Sequence, residues 1–517
     1  MLESNSLKIL TSPAAAWTFP VALDAHSRDP LFLQIARAVA EDVRRGRLKP
    51  GARLPGSRDL ARTLHIHRNT VVAAYDELAA EGWIETAEAA GTFVSRAMPE
   101  VSPVRFSSNA PPAGIAKRAA FSLGSERLPL MYTPPGPRVL RMSGGIPDVR
   151  LVPATALARA YRRAVTRHGI DVLSYAEPQG HARLRAALAE MLAATRGVAA
   201  GADDVLITRG SQMALDLVAR SLVEPGDVVA FEALGYHPAW EAFRAHGAKL
   251  VSVPVDREGL DVAALAAMTK RGHIRAVYVT PHHQYPTMVT MSAARRLALL
   301  ELARRERLAV VEDDYDHEFH YEGRPVLPLA SADTAGVVIY VGTLAKILAP
   351  SLRLGYVVAP ANVLERMTAH RYNLDRQGDR AVEHAVAELF EDGEVQRHVS
   401  RARRLYHARR DAVVDAFRRK LGDVLSFDVP CGGLALWSHV DPKVDPDAWC
   451  ERALARGVVF MPGSILDFAG KKIPYARFGY APVDEREIAE AVRRLVCALR
   501  DVEAGQSRPR NSGSRST

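Results

Sequence analysis

Lys346 stands in the stretch VGTLAKILAPSLRLGY, residues 341–356, among small and apolar neighbours. Poor solvation disfavours the ammonium form and makes the amine a better nucleophile toward a carbonyl. Arg353, seven residues on, carries a planar guanidinium suited to gripping a phosphate through two hydrogen bonds. Upstream, LAVVEDDYDHEF leads an apolar run straight into a carboxylate cluster, at the strand end where open α/β sheets place their ligands. A carboxylate there could keep a pyridine nitrogen protonated, and the tyrosine beside it could donate to a ring oxygen. An imine-forming lysine, a strand-end hydroxyl at Thr343 and a phosphate-holding arginine together suit pyridoxal phosphate. Taken alone, the lysine and arginine could equally lie on a surface turn. The acidic run, with His317 and His320 beside it, could instead hold a metal; the lysine downstream argues against that, and no metal ligands are expected.

The elements that must position these groups are legible as alternating runs. VVIYV reads as a buried strand that Gly342-Thr343 breaks, and VLITRGSQMALDLVARSL as a strand, a turn and a helix. Backbone N–H groups at that helix N-terminus, with the Ser211 hydroxyl, form a ready phosphate site, although such a passage is common in α/β proteins. DVVAFE, KLVSVPV and IRAVYVT repeat the strand pattern, each followed by helical or turn-rich sequence. The alternation predicts a largely parallel sheet with crossover helices. A further strand, GGLALW, opens a smaller closing part.

A chain of 517 residues is too long for one ordinary domain, so two or three units are expected. With 48% apolar and 25% charged residues it has the composition of a soluble globular protein. It has no apolar run of spanning length, and MLESNSLKIL makes a poor signal peptide. Cys431, Cys450 and Cys497 have neither metal-ligand spacing nor an even count, which fits a reducing cytoplasm. The net charge is +9, and its distribution says more: eight Lys/Arg residues lie between Arg44 and Arg68, opposed only by Asp59.

That basic stretch overlaps a pattern of helices. Leu31, Ile35, Val39 and Val43 recur at helical spacing, with Gly46 placed to end the helix. A short second helix follows, with Ser57 as a plausible N-cap and Asp59 in its first turn. A third runs from about Arg68 to Glu81, stopped by Gly82, which makes a helix-turn-helix. GWIETAEAAGTFVS then reads as two short strands around a turn, a wing with Gly91 at its bend. Residues 97–140, rich in Pro, Ser and Ala, read as a semi-flexible linker, and 501–517 as a polar, disordered tail.

LPGSRDLA and RNTVVAAYDEL followed by EGWI and GTFV resemble the GntR-type winged helix. The residues around Lys346 resemble the fold-type-I aminotransferases, and the whole chain resembles the MocR family, in which these two domains are joined. The resemblance implies a winged helix over 20–96 and an aminotransferase-like domain over 141–500, with a smaller C-terminal α+β subdomain. It places Arg58, Arg68, Asn69 and Thr70 near DNA, with Ser57, Arg53 and Gly91 flanking; Arg68 and Asn69 could read base edges. His65 and His67 depart from the small turn residue and serine cap usual there.

In the second domain the resemblance implies that Lys346 forms a Schiff base with pyridoxal phosphate. It assigns Asp313 to the pyridine nitrogen, Tyr315 to the ring oxygen, and Thr343, Arg353, Ser211 and Gln212 to the phosphate. Tyr236 falls where the family places an aromatic residue near the cofactor. Arg477 matches an arginine that grips a substrate carboxylate, with Gly145 near the substrate. Where the aminotransferases carry Asn-Pro-Thr-Gly, this chain reads Tyr285-Pro286-Thr287-Met288, which weakens the case for a full catalyst more than that for cofactor binding. The expected function is a cytoplasmic, homodimeric transcription regulator that binds double-stranded DNA and senses an amino acid, an amine or a B6 vitamer. The alternatives are a working aminotransferase with a DNA-binding appendage, and a DNA-binding protein whose cofactor fold only dimerises.

Overall fold

The computed structural model describes residues 23–24, 27, 29–87, 91–97, 118–122, 136 and 139–506. The chain divides into two compact units, Met1–Pro129 and Leu130–Thr517. Most of the expected linker and residues 507–517 of the expected tail lie outside the described residues.

The small unit contains α1 (Leu31–Arg44), α2 (Ser57–Leu64), α3 (Arg68–Ala80), β1 (Ile84–Ala87) and β2 (Gly91–Val94). α1 buries Ile35, Val39 and Val43, and α3 buries Val71, Ala74, Tyr75 and Leu78, each a stripe at helical spacing turned to one shared core. The Tyr75 hydroxyl donates to the Pro55 carbonyl at 2.8 Å, tying α3 to the turn before α2. β1 and β2 pair antiparallel, from Ile84 with Val94 to Ala87 with Gly91.

Two expectations need correction here. Ser57 is the first helical residue of α2 rather than its cap; Gly56 holds the cap position, without a side-chain hydrogen bond. Gly91 opens β2, and its φ of +114° admits the close approach of Arg53, whose Nε would lie 3.1 Å from a Cβ there. The two histidines that depart from the family pattern are accommodated. His65 takes the left-handed conformation, φ 54°, that ends α2, and His67 caps α3 by accepting from the Asn69 N–H through Nδ1 at 3.2 Å.

The large unit is built on a seven-stranded sheet. Its strands, in chain order, are β3 (Val205–Thr208), β4 (Val228–Glu232), β5 (Lys249–Val253), β6 (Ala276–Val279), β7 (Ala309–Asp314), β8 (Val338–Thr343) and β9 (Gly355–Val358). Their spatial order is β3-β9-β8-β7-β6-β4-β5, parallel throughout except for β9, which runs against both neighbours. Successive residues of β8 alternate between two cores: Ile339 and Val341 on one face, Tyr340 on the other. Burial on both faces is why these strands read as unbroken apolar runs. Helix α4 (Ser211–Leu222) follows β3 directly. A four-stranded antiparallel sheet contains β10 (Ala435–Val440) and β11 (Tyr475–Gly479), with Trp437 opposite Arg477.

Gly342 and Thr343 do not break β8 but complete it. Gly342 is required because the Tyr356 ring on β9 occupies the space of a Cβ. The final helix, α5 (Glu485–Gln506), extends beyond residue 500, so residues 501–506 of the expected tail are helical. Its turns bury Ile488, Ala491, Val492, Leu495, Leu499 and Val502, and that stripe carries the helix past the polar boundary. Among the described residues no helix is long and apolar enough to cross a membrane.

Candidate functional site

β7 and β8 lie side by side in parallel, with Asp313 opposite Val341, so their C-terminal ends open together. Asp313 closes one strand and Lys346 follows the other. Both line a cavity of about 450 Å³, with Thr343, Tyr315, Ser211 and Arg353. Residues up to 142 positions apart in sequence, Ser211 and Arg353, thus meet at one end of one sheet.

Lys346 is half-buried, its side chain opening on the cavity. Desolvation, reinforced by the positive charge of Arg477, lowers its ammonium to about 8, against the opposing pull of Asp316 and Asp313. Asp313 is buried, and its Oδ2 accepts from the Tyr278 hydroxyl at 2.7 Å while Oδ1 has no partner. Burial raises Asp313 to about 6; the Tyr278 bond and Lys346 pull it down, and the neighbouring Asp314 carboxylate pushes it up. Asp313 thus brings to the cavity wall a carboxylate with one unpartnered oxygen.

The opposite end is made for an anion. α4 begins at Ser211 after Gly210, whose φ of 77° turns the chain. Its first N–H groups lie beside the Arg353 guanidinium, which donates to the Arg209 carbonyl at 3.0 Å. Gly355 admits this approach, since a Cβ there would lie 2.7 Å from the Gly210 carbonyl carbon. Thr343 Oγ1 accepts from the Ala345 N–H at 3.1 Å, so the threonine already orders the turn into Lys346. Gln212 does not present its side chain: Nε2 donates to the Pro238 carbonyl at 3.0 Å, leaving only its backbone N–H for the anion end.

Three aromatic rings wall the space. Tyr236 and Tyr285 meet edge to face at 5.7 Å, and Tyr285 and Tyr315 at 6.0 Å. The Tyr315 hydroxyl donates to the His283 carbonyl at 2.9 Å, so to serve a ring oxygen as donor it must leave that partner. Tyr278 and Thr280, unnamed in the sequence reading, also line the cavity. Thr280 Oγ1 donates to Glu232 at 2.8 Å, and Tyr278 lies on β6 opposite Val311, two residues before Asp313. The signal was present in AVYVT, a strand parallel to EDD, but only the strand order makes the tyrosine a partner of Asp313.

Arg477 is fully buried. Its guanidinium lies 4.5 Å over the Tyr285 ring, Nη2 is 3.9 Å from Met288 Sδ, and Nε and Nη1 have no partner. A Cβ at Gly145 would sit 3.1 Å from Nη2, so glycine admits the guanidinium there. Gly145 and Arg477 stand behind the cavity wall rather than in it. Met288 keeps the left-handed backbone of a glycine, φ 65°, and spends its side chain covering the arginine.

In the small unit Arg53, Arg58, Arg68 and Asn69 are exposed, while Ser57, Thr70 and Gly91 are half-buried. Ser57 Oγ accepts from Arg68 Nε at 3.3 Å, which holds the arginine at the start of α3. Arg62, by contrast, pairs with Asp59.

Residues 31–94 match the family model of bacterial regulatory proteins of the gntR family, and residues 138–495 that of aminotransferases of class I and II. Over 95% of its length the chain is 32% identical to the probable rhizopine catabolism regulatory protein MocR of Rhizobium meliloti, covering 98% of that protein. The chain belongs to the MocR family. An uncharacterised HTH-type transcriptional regulator of Bacillus subtilis, YdeL, is 30% identical over 91% of this chain and 96% of its own. Among solved structures, the α-aminoadipate aminotransferase LysN of Thermus thermophilus, complexed with N-(5'-phosphopyridoxyl)-L-leucine, is similar with a TM-score of 0.67 and 32% identity, covering 71% of this chain and 94% of that one. The architecture is that of a MocR-type, pyridoxal-phosphate-dependent transcription regulator.

The residues present fit that cofactor. The free Oδ1 of Asp313 meets the need of a pyridinium N–H, the α4 N-terminus with Ser211 and Arg353 that of a phosphate, and Lys346 between them that of an aldehyde. Bound there, pyridoxal phosphate supplies an aldehyde carbon that exchanges amines and a ring that accepts electron density.

Proposed function

We propose that this chain regulates transcription in response to an amino acid or a related amine that competes with Lys346 for the cofactor, binding DNA through α2, α3 and the wing. The carrying observation is Arg477, a buried guanidinium with two nitrogens unpartnered, within electrostatic reach of Lys346. A buried charge without an anion is costly, and a planar carboxylate answers it with two hydrogen bonds. This favours an α-amino acid over a simple amine or a vitamer. Met288 and Tyr285 cover the guanidinium, so an entering carboxylate displaces the flexible Met288 side chain.

The same reading takes Arg68 and Asn69 to base edges, Arg53, Arg58, Ser57 and Thr70 to the backbone, and the wing at Gly91 to the adjacent groove. It takes the DNA-binding domain as 20–96 and the effector domain as 141 onward, with two chains forming a homodimer in the cytoplasm. A second reading, half-transamination of the bound amino acid, is favoured by the intact pair of Lys346 and Asp313. Tyr285 and Met288 stand against repeated turnover.

Spectral titration of the holo-protein with amino acids and their decarboxylated amines tests the proposal. A visible-band shift with an amino acid, weakened at least tenfold for the matching amine and in Arg477→Ala, is expected; equal responses to acid and amine refute the role of Arg477. Met288→Ala, which uncovers the guanidinium, should tighten the amino-acid response.

A further inference from the structure

Behind the cofactor cavity lies a group of imidazoles that the proposed function does not use. Nitrogens of His282, His283 and His320 all lie within 4.8 Å of one another, the one such group of potential metal ligands among the described residues. His282 and His283 are buried and His320 is half-buried. Both nitrogens of His282, Nε2 of His283 and Nδ1 of His320 are buried without any hydrogen-bond partner. A buried histidine ordinarily finds a partner for its ring; one cation answers all three of these at once, because each ring brings a nitrogen to the same small space.

The surroundings have the form of a built site. His283 Nδ1 is bonded to Asp316 Oδ1 at 2.7 Å, which fixes the ring and leaves the Nε2 lone pair free, the carboxylate–histidine relay that supports metal-bound imidazoles. The space beyond Nε2 is kept open by Gly432: a Cβ there would stand 2.6 Å from that nitrogen. His320 also lines a second cavity of about 450 Å³, which gives a path of entry. His317, its ring 4.4 Å from that of His282, lines the same cavity. Nitrogens around a tetrahedral zinc, at about 2.0–2.1 Å from it, lie roughly 3.4 Å apart, so side-chain rotations of about an ångström close the set.

We propose that His282, His283 and His320 bind a divalent transition-metal ion of the imidazole-preferring class, with Zn2+ as the representative. This replaces the expectation of no metal, which weighed the acidic run with His317 and His320 but not His282 and His283. The imidazoles come from two loops, one after β6 and one after β7. An ion there pins the loop whose His283 carbonyl receives the Tyr315 hydroxyl, one hydrogen bond from the cofactor cavity. Imidazole suits zinc, nickel and copper and disfavours magnesium and calcium.

The test uses the full-length holo-protein without a histidine tag, stripped with a chelator, dialysed against Zn2+ and assayed for metal content and affinity. About one zinc per chain is expected, with affinity reduced more than about tenfold in both His320→Ala and Gly432→Ala, and unchanged in His246→Ala. The visible cofactor band of each variant reports that it is folded. No stoichiometric zinc, or affinity equal to wild type in both folded variants, overturns the proposal.

Discussion

The winged-helix unit and the cofactor cavity use the same side chains in opposite ways. In the small unit Arg53, Arg58 and Arg68 stand in solvent on two short helices and the turn before them. Their guanidinium groups suit a polyanion. In the large unit Asp313 and Lys346 are drawn into a cavity wall, with Arg477 buried behind it. There burial lowers Lys346 to about 8 and raises Asp313 to about 6. A surface reader works by position alone, whereas a buried site changes the chemistry of its groups. Substitutions in the first should therefore cost affinity in proportion to contacts, and in the second should remove whole functions.

The largest effect expected is in the cavity. Lys346→Ala removes the amine placed between Asp313 and the phosphate end, and borohydride should then fix no pyridoxyl group, measured by mass spectrometry of the digested chain. Its DNA affinity should remain measurable, which would separate the two regions; joint loss of both would merge them.

Next in size is a pH dependence. The amine attacks only when neutral, so covalent capture of pyridoxal phosphate should rise about tenfold per pH unit up to about 8 and level off above it. Between pH 6 and 8 the stopped-flow rate should change roughly fiftyfold. A rate still climbing toward pH 10, as for an ordinary lysine, would place Lys346 in solvent and erase the contrast.

On the exposed side, Arg68→Ala should cost about 1–3 kcal/mol of specific DNA affinity, measured by fluorescence anisotropy, with the visible cofactor band intact. Loss of that band would show the two regions to be less separable than their environments imply. Smallest of all is Gln212→Ala. With its amide turned to the Pro238 carbonyl, cofactor affinity should fall less than about twofold; a tenfold fall would restore the amide to the phosphate end.

What could be read beforehand follows the same division. The helices and wing of the small unit are contiguous in sequence, so helix spacing and the glycines at 46 and 82 outlined them; the errors, Ser57 as cap and Gly91 as bend, are one-residue matters of capping and pairing. Lys346, Asp313 and Arg353 were legible because each sits in a short motif at a strand end. Tyr278 was not, because its bond to Asp313 exists only once β6 and β7 lie side by side. The burial of Arg477 was missed for a related reason: a strand shows two faces, and only the packing of Tyr285 and Met288 over this one says which is closed. Gly342 looked like a break, since sequence does not show that a ring on the neighbouring strand needs its space.

The most direct test joins the two regions in one titration: affinity of the holo-protein for its own upstream DNA, with and without the amino acid that shifts its visible band. Binding about a thousandfold or more tighter than to random DNA, changed at least about fivefold by that amino acid, is the expected result. Binding no tighter than to random DNA, or specific binding indifferent to every amino acid that occupies the cavity, would contradict the account.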